Sequence, residues 1–164
     1  MTQDSTKAEA ASITKADVTS NVDVEKSVSL TNGILRLTYY ESILQDSIKA
    51  YIVYGDTGNA IDQKSAVEGL PIIGTEDFRL EFEDNNENKI KVDMIVNSVI
   101  PAYEDTNKNV VSIELVSQEY IRNEMGESRC RSGFNGNISD NVEAIFKDRL
   151  KTTKKLDIER TSND

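Results

Sequence analysis

The sequence predicts a mainly β fold with a flanking helix (β+α), built as an antiparallel β-barrel or sandwich. Five runs between residues 34 and 115 alternate apolar and polar residues with a period of two, and most are joined by short polar loops. A change to helical periodicity near residue 139 predicts the helix. With 164 residues, 37% of them hydrophobic, the chain has the size of about one domain.

Each run places one apolar side toward a core. The predicted core sides are, in chain order, Leu35, Leu37 and Tyr39; Ile48, Ala50, Ile52 and Tyr54; Phe78, Leu80 and Phe82; Ile90, Val92, Met94 and Val96; and Val111, Ile113 and Leu115. Gly55–Asn59 and Asp84–Asn88 carry turn chemistry, and the second of these predicts a hairpin. Pro101 cannot donate to a sheet ladder, so a polar loop is expected from there to about Asn109.

The domain organisation follows from these patterns. Residues 1–28 are rich in small and polar side chains and predict a flexible arm, and residues 29–150 predict the β domain. Its helix is expected near residues 139–149 with Ser139 as N-cap, after a shorter helical turn over residues 118–125. Residues 151–164 predict a strand stub, carried by Leu156 and Ile158, and a polar tail.

Composition excludes several classes of function. The formal net charge of −10 argues against duplex DNA or an anionic membrane as the main partner. The chain has no His, and its single Cys130 cannot form an intrachain disulfide or a multi-cysteine zinc site. No apolar run approaches the ~20 residues of a membrane span. We therefore expect a soluble protein of a reducing compartment.

No motif predicts catalysis, a cofactor or a metal site. Asp84–Asn88 lacks the central Gly and terminal Glu of an EF-hand loop, and Gly69–Gly74 lacks the lysine and spacing of a phosphate loop. Glu81 and Glu83 would lie about 7 Å apart on one strand face, within the range of a glycosidase pair. Adjacent acids on an exposed strand are common, however, and the chain has no Trp to form a sugar platform.

A cationic group follows the fifth run. Arg122, Arg129 and Arg131 alternate with acidic residues, which favours ion pairing within or between subunits over binding to nucleic acid. Cys130 lies between two of these arginines and is interpreted as a free structural thiol.

Several segments of the chain form a recognisable set. They are Leu30–Gly33, Tyr39–Leu44, Gly69–Gly74, Val116–Glu124 with Ser-Gln-Glu-Tyr at 117–120, and Phe134–Asp140 with the sequence Phe-Asn-Gly-Asn-Ile-Ser-Asp. On these motifs the stretch from Leu30 to Asn163 resembles the first tube-like domain of the baseplate central hub proteins of contractile-tailed bacteriophages.

The resemblance implies a tail-tube type barrel without enzymatic activity. It implies a homo-oligomer, a trimer whose paired tube domains form a pseudo-sixfold ring between the central spike and tail tube proteins, with DNA only in transit and no membrane. The location would be the tail baseplate of the virion, after assembly in the host cytoplasm. The family's hub proteins continue into a second tube-like domain, so this chain is expected to be a truncated or split form, or a deliberately expressed piece.

Within such a ring two sets of residues gain expected roles. The acidic strand face with Glu81, Glu83 and Asp93 is the candidate lining of the DNA channel, because like charge keeps the duplex from sticking. The outward Tyr40, Tyr51 and Val53, together with the three arginines, are candidates for the subunit interface. The alternative is a monomeric ligand-binding β-module without catalytic activity that uses its turn-rich loops.

Overall fold

The computed structural model describes residues 11–56, 64–84, 86–105 and 108–161. Its strands are β1 Ser12–Thr19, β2 Ser27–Ser29, β3 Ile34–Tyr40, β4 Lys49–Asp56, β5 Asp77–Glu83, β6 Lys89–Asp105 and β7 Lys108–Val116. Its helices are α1 Ala66–Gly69, α2 Gln118–Glu124 and α3 Ile138–Ala144, with a 3-10 turn at Thr31–Gly33 and a π-helical turn at Ile145–Arg149. The strands form one antiparallel sheet in the order β2-β1-β5-β6-β7-β4-β3. The predicted fold class, mainly antiparallel β with a flanking helix, is confirmed.

The sheet curls into a half-barrel. Its two edge strands, β2 and β3, are consecutive in the chain and are joined only by Leu30 and the 3-10 turn. The rings of Tyr39 on β3 and Phe82 on β5 lie 5.2 Å apart between centroids. These strands are four positions apart in the sheet, which would separate them by about 19 Å if the sheet were flat. Strong curvature therefore brings the two ends of the sheet around one core.

Strand β6 connects the two halves of the sheet. Its first half pairs with β5 and its second half with β7, and Ile95 is opposite both Asp77 and Val116. The strand continues through Pro101 to Asp105, so the polar loop expected from Pro101 onward is wrong over these residues. A register shift between Pro101 and Tyr103 explains how the proline is accommodated, because a bulge removes the need for a ladder donor.

The predicted core sides are largely confirmed. Buried members include Ile52, Phe78, Leu80, Ile113 and Leu115. Leu35 is the exception: it is 67% exposed. A register shift between Ile34 and Arg36 breaks the alternation there and places the Leu35 side chain over Gly55, on the outside of the sheet.

The predicted flexible arm is wrong for residues 12–28, because these residues form β1 and most of β2. Ala16 and Val18 of β1 are fully buried, opposite Leu80 and Phe78. The alternation is hard to read because a register shift between Ile13 and Lys15 interrupts it. Residues 1–10 lie outside the described residues, as do Thr57–Asn59 of the predicted turn after β4.

The helix expected near residues 139–149 is confirmed as α3 with its π-helical turn, and α2 forms the predicted shorter turn. Ser139 is not the N-cap: it is buried within α3, and Asn137 occupies the cap position. The strand stub over Leu156 and Ile158 is not formed. Residues 151–161 instead run as an irregular segment along the helices, called the strap below, and residues 162–164 lie outside the described part.

Candidate interaction surfaces

The outer surface of the sheet divides into a charged half and an apolar half. On β5 and β6, residues directly opposite each other form ion pairs: Arg79 with Asp93 at 2.9 Å and Lys91 with Glu81 at 3.2 Å. On the neighbouring β1, Lys15 pairs with Asp17 at 3.3 Å. We call this surface the charged face. Such exposed pairs contribute little stability, but they neutralise much of the local field.

The structure places all three acids predicted to line a channel on this charged face. Glu81 and Asp93 each have a cationic partner, and Glu83 lies opposite Lys89 in the strand register. The local field of this face is therefore weaker than a row of unpaired carboxylates would produce. The role of these acids in a channel stays a prediction.

The outer surface of β3, β4, β7 and the second half of β6 carries apolar and aromatic side chains among polar ones such as Arg36 and Ser112. We call it the tyrosine face, formed by Leu35, Tyr40, Tyr51, Val53, Ile100 and Tyr103. Four of these side chains are more than half exposed, and Tyr40 and Tyr51 contact each other edge to face at 6.1 Å. Exposed aliphatic and aromatic side chains on adjacent strands are typical of surfaces that become buried by a partner.

The strand register makes the tyrosine face continuous. Val53 is opposite Ser112, which in turn is opposite Ile100, so these residues form one row across three strands. The neighbouring row contains Tyr51 and Glu114. The structure therefore brings the predicted Tyr40, Tyr51 and Val53 together and adds Ile100 and Tyr103, which sequence reasoning missed.

Glu114 is the acidic residue of this face. Its carboxylate accepts hydrogen bonds from the Tyr51 hydroxyl at 3.3 Å, Asn97 Nδ2 at 3.0 Å and the Ser98 hydroxyl at 3.2 Å. The negative charge of Glu114, together with some desolvation, raises the pKa of Tyr51. Glu114 forms no ion pair within the part of the chain that the structure describes.

The predicted arginines lie apart from the tyrosine face, on α2 and the loop that follows it. Arg129 pairs with Glu124 at 3.2 Å, which confirms ion pairing within the chain for this residue. The Asn123 side chain accepts from the Cys130 amide and holds the loop against α2. Arg122 and Arg131 form no ion pair with any described residue. We group Arg122 and Met125, at the end of α2, with Arg131 and Phe134 of the loop that follows it, and call this segment the arginine surface.

The strap is attached to the helices by polar contacts. Glu119 of α2 accepts from the Thr152 hydroxyl and from Lys154 Nζ, the latter at 2.9 Å. Arg160 pairs with Asp140 and Glu143, and Thr161 exchanges hydrogen bonds with Ser139. Burial acts to raise the pKa of Glu119, but the hydrogen bonds from Thr152 and Lys154 outweigh it and lower the pKa.

A half-open groove of about 650 Å³ lies between the charged face, the start of α2 and the strap. Its walls include Asp17, Arg79 and Asp93 from the strands and Glu119 and Lys154 from the other side. Most of these charges are already paired with one another, so the groove offers few free groups to a ligand. Among the described residues, no group of three or more acidic or cysteine side chains is placed to hold a metal ion.

No helix in the described ranges is long and apolar enough to cross a membrane.

No protein-family model matches the chain, and no curated protein matches it. Among solved structures, the chain is similar to the c3393 protein of E. coli, described as a component of the type VI secretion system with structural similarity to the T4 bacteriophage tail proteins gp27 and gp5. The two are 10% identical with a TM-score of 0.44, over 93% of this chain and 35% of that chain. This chain thus spans about a third of the length of that protein.

Proposed function

We propose that this chain is a structural subunit of a phage-tail-like assembly, at the position of a baseplate hub. In this role, copies of the chain form a ring that joins the central spike to the tail tube and through which DNA passes. The motifs at Val116–Glu124 and Phe134–Asp140, which resemble those of hub proteins, support the proposal. They span α2 and the start of α3.

The observation that carries the proposal is the tyrosine face. Ile100 and Tyr103 on β6 and Tyr40 on β3 are 60%, 59% and 55% exposed, and leaving such apolar area in water is unfavourable. Contact with another subunit would bury it. Aromatic side chains are enriched at such interfaces because they add apolar contact area and still carry a hydroxyl.

The charged face is the proposed channel lining. Its opposite charges are paired across strands, so passing DNA would meet a surface with an acidic residue at Glu83 and neutralised neighbours. Such a surface offers no cluster of free cations to hold phosphate groups. The proposed location, a tail baseplate, follows from the same role.

A variant of the tyrosine face tests the proposal. Replacing Tyr51 and Val53 together by Ser removes apolar contact area from the centre of the face while keeping residues that a strand accepts. We expect this variant to remain folded by circular dichroism and to lose self-association in sedimentation velocity experiments. Replacing Thr14 and Thr19 on β1 by Ser is the matched control and should leave self-association unchanged.

Retention of full self-association in the Tyr51 and Val53 variant would contradict the assignment of this face.

The groove of about 650 Å³ favours a second candidate function, a monomeric ligand-binding module, because its volume is in the range of small-molecule sites. That candidate requires a monomer in solution and a small molecule that protects Lys154 or Arg79 from chemical modification.

A further inference from the structure

Glu114 has an unusual setting for an interface residue. It lies in the middle of the tyrosine face and is held by three neutral donors, on Tyr51, Asn97 and Ser98. When a partner covers this face, water no longer solvates the carboxylate of Glu114. Burying a carboxylate without a cation is strongly unfavourable, so a partner that covers Glu114 must bring a positive group.

Two cations of the same copy lie on this side of the sheet, on β3 and β4. Lys49 is close enough to Tyr51 for its positive charge to oppose part of the rise in the pKa of Tyr51. Lys49 Nζ lies 5.4 Å from the centre of the Tyr120 ring, and Arg36 is exposed on the edge strand β3. Neither forms an ion pair with a described residue. Glu114 is therefore held by neutral donors and forms no ion pair with the described residues of its own copy.

The arginine surface has the complementary properties. Arg131 is exposed and Arg122 half-buried, and both guanidinium groups lack a described acidic partner. Met125 and Phe134 of the same segment are 56% and 42% exposed. The other cations of this region are engaged: Arg129 pairs with Glu124, and Arg149 lies over the Phe134 ring at 5.3 Å. The surface thus combines apolar area with free guanidinium groups.

We propose that the tyrosine face of one copy binds the arginine surface of a second copy, with Arg131, supported by Arg122, paired to Glu114. This inference rests on the proposed function, because a ring requires contact between two different surfaces of the same chain. A guanidinium fits this role better than an ammonium, since it donates in a planar fork that matches a carboxylate. The charges then fix the register of contact, and the apolar side chains around them supply the buried area.

Charge reversal tests this pairing. We expect Glu114→Lys to weaken self-association, measured by sedimentation equilibrium, by about 30-fold or more, because it opposes like charges in the interface. Arg131→Glu should have an effect of similar size. The double variant with both substitutions should recover most of the affinity, because the pair is restored with its signs exchanged.

Two matched controls carry the same charge changes elsewhere. Glu25→Lys reverses an exposed acid of the β1–β2 turn, and Lys155→Glu reverses an exposed cation of the strap. Both should self-associate like the unmodified chain. Thermal unfolding of every variant tests whether that variant is folded.

Three results would overturn the proposal. If Glu114→Lys leaves self-association intact, the interface lies elsewhere while the proposed ring stands. If Glu114→Lys is rescued by Arg36→Glu and not by Arg131→Glu, two copies of the tyrosine face meet in a closed dimer. If the unmodified chain stays monomeric at every concentration, both this pairing and the proposed assembly fail.

Discussion

At the scale of single residues, Glu76 places a carboxylate inside the protein. It is fully buried, and its carboxylate accepts from the amides of Ile73 at 2.9 Å and Gly74 at 2.8 Å. These bonds fix the loop before β5, where Gly74 and Thr75 both have positive φ. One carboxylate thus stabilises a strained turn that exposes Ile73 to solvent.

We predict that Glu76→Gln destabilises the protein by about 1–3 kcal/mol. The Gln amide nitrogen is a donor and cannot accept from a backbone N–H, so one buried amide loses its partner. Urea unfolding would measure the loss. Glu25→Gln, at an exposed position of the β1–β2 turn, is the control and should change the free energy of unfolding by less than about 0.5 kcal/mol. Equal stability of both variants would show that the loop is held by other contacts.

At the scale of elements, the attachment of the strap depends on charged side chains. Its contacts to α2 and α3 are hydrogen bonds and ion pairs centred on Glu119, Asp140 and Glu143. The hydrogen bond and charge of Lys147, followed by the charge of Arg160, lower the pKa of Glu143, and the pKa of Glu119 is lowered as described above. The lowered folded-state pKa of Glu119 means that its contribution to strap attachment is complete above the ordinary pKa of Glu, near 4.5, and is lost as pH falls through the folded-state pKa.

We predict that Glu119→Gln opens the strap at neutral pH. Loss of one charged hydrogen bond, about 1 kcal/mol, would raise the open population and the rate of trypsin cleavage after Lys154 roughly 5-fold. Cleavage at this bond is followed by mass spectrometry. Glu127→Gln, at an exposed position after α2, should not change the rate. Equal cleavage in both variants would mean that Glu119 does not hold the strap.

Elements with strict alternation could be predicted from the sequence, and elements with a register shift could not. β5 alternates without interruption, so Phe78, Leu80 and Phe82 were placed in the core correctly. In β1 a bulge lies between Ile13 and Lys15, and the buried side chains beyond it are small. The signal was therefore a few isolated apolar residues, which resemble those of a flexible arm.

The tyrosine face could likewise be predicted only where its strands alternate strictly. Tyr40, Tyr51 and Val53 lie opposite the predicted core residues of their runs, so their outward direction followed from period two alone. Ile100 and Tyr103 join them only because β6 continues past Pro101 and pairs with β7. Glu114 carries no sequence signal of its role, since its three donors come from two neighbouring strands.

At the scale of the whole molecule, the half-barrel separates two outer surfaces with different chemistry. The charged face pairs most of its charges, whereas the tyrosine face leaves apolar side chains in water and one carboxylate without an ion pair among the described residues. In a monomer both surfaces would stay exposed to solvent. In a ring, one surface can meet the channel and the other can meet the next subunit, so the proposed assembly accounts for both.

The molar mass of the purified chain in solution, measured by light scattering over a wide range of concentration, tests this assembly most directly. A trimeric ring predicts that the mass rises with concentration to three times the 18.3 kDa of one chain. A mass of one chain at every concentration would contradict it.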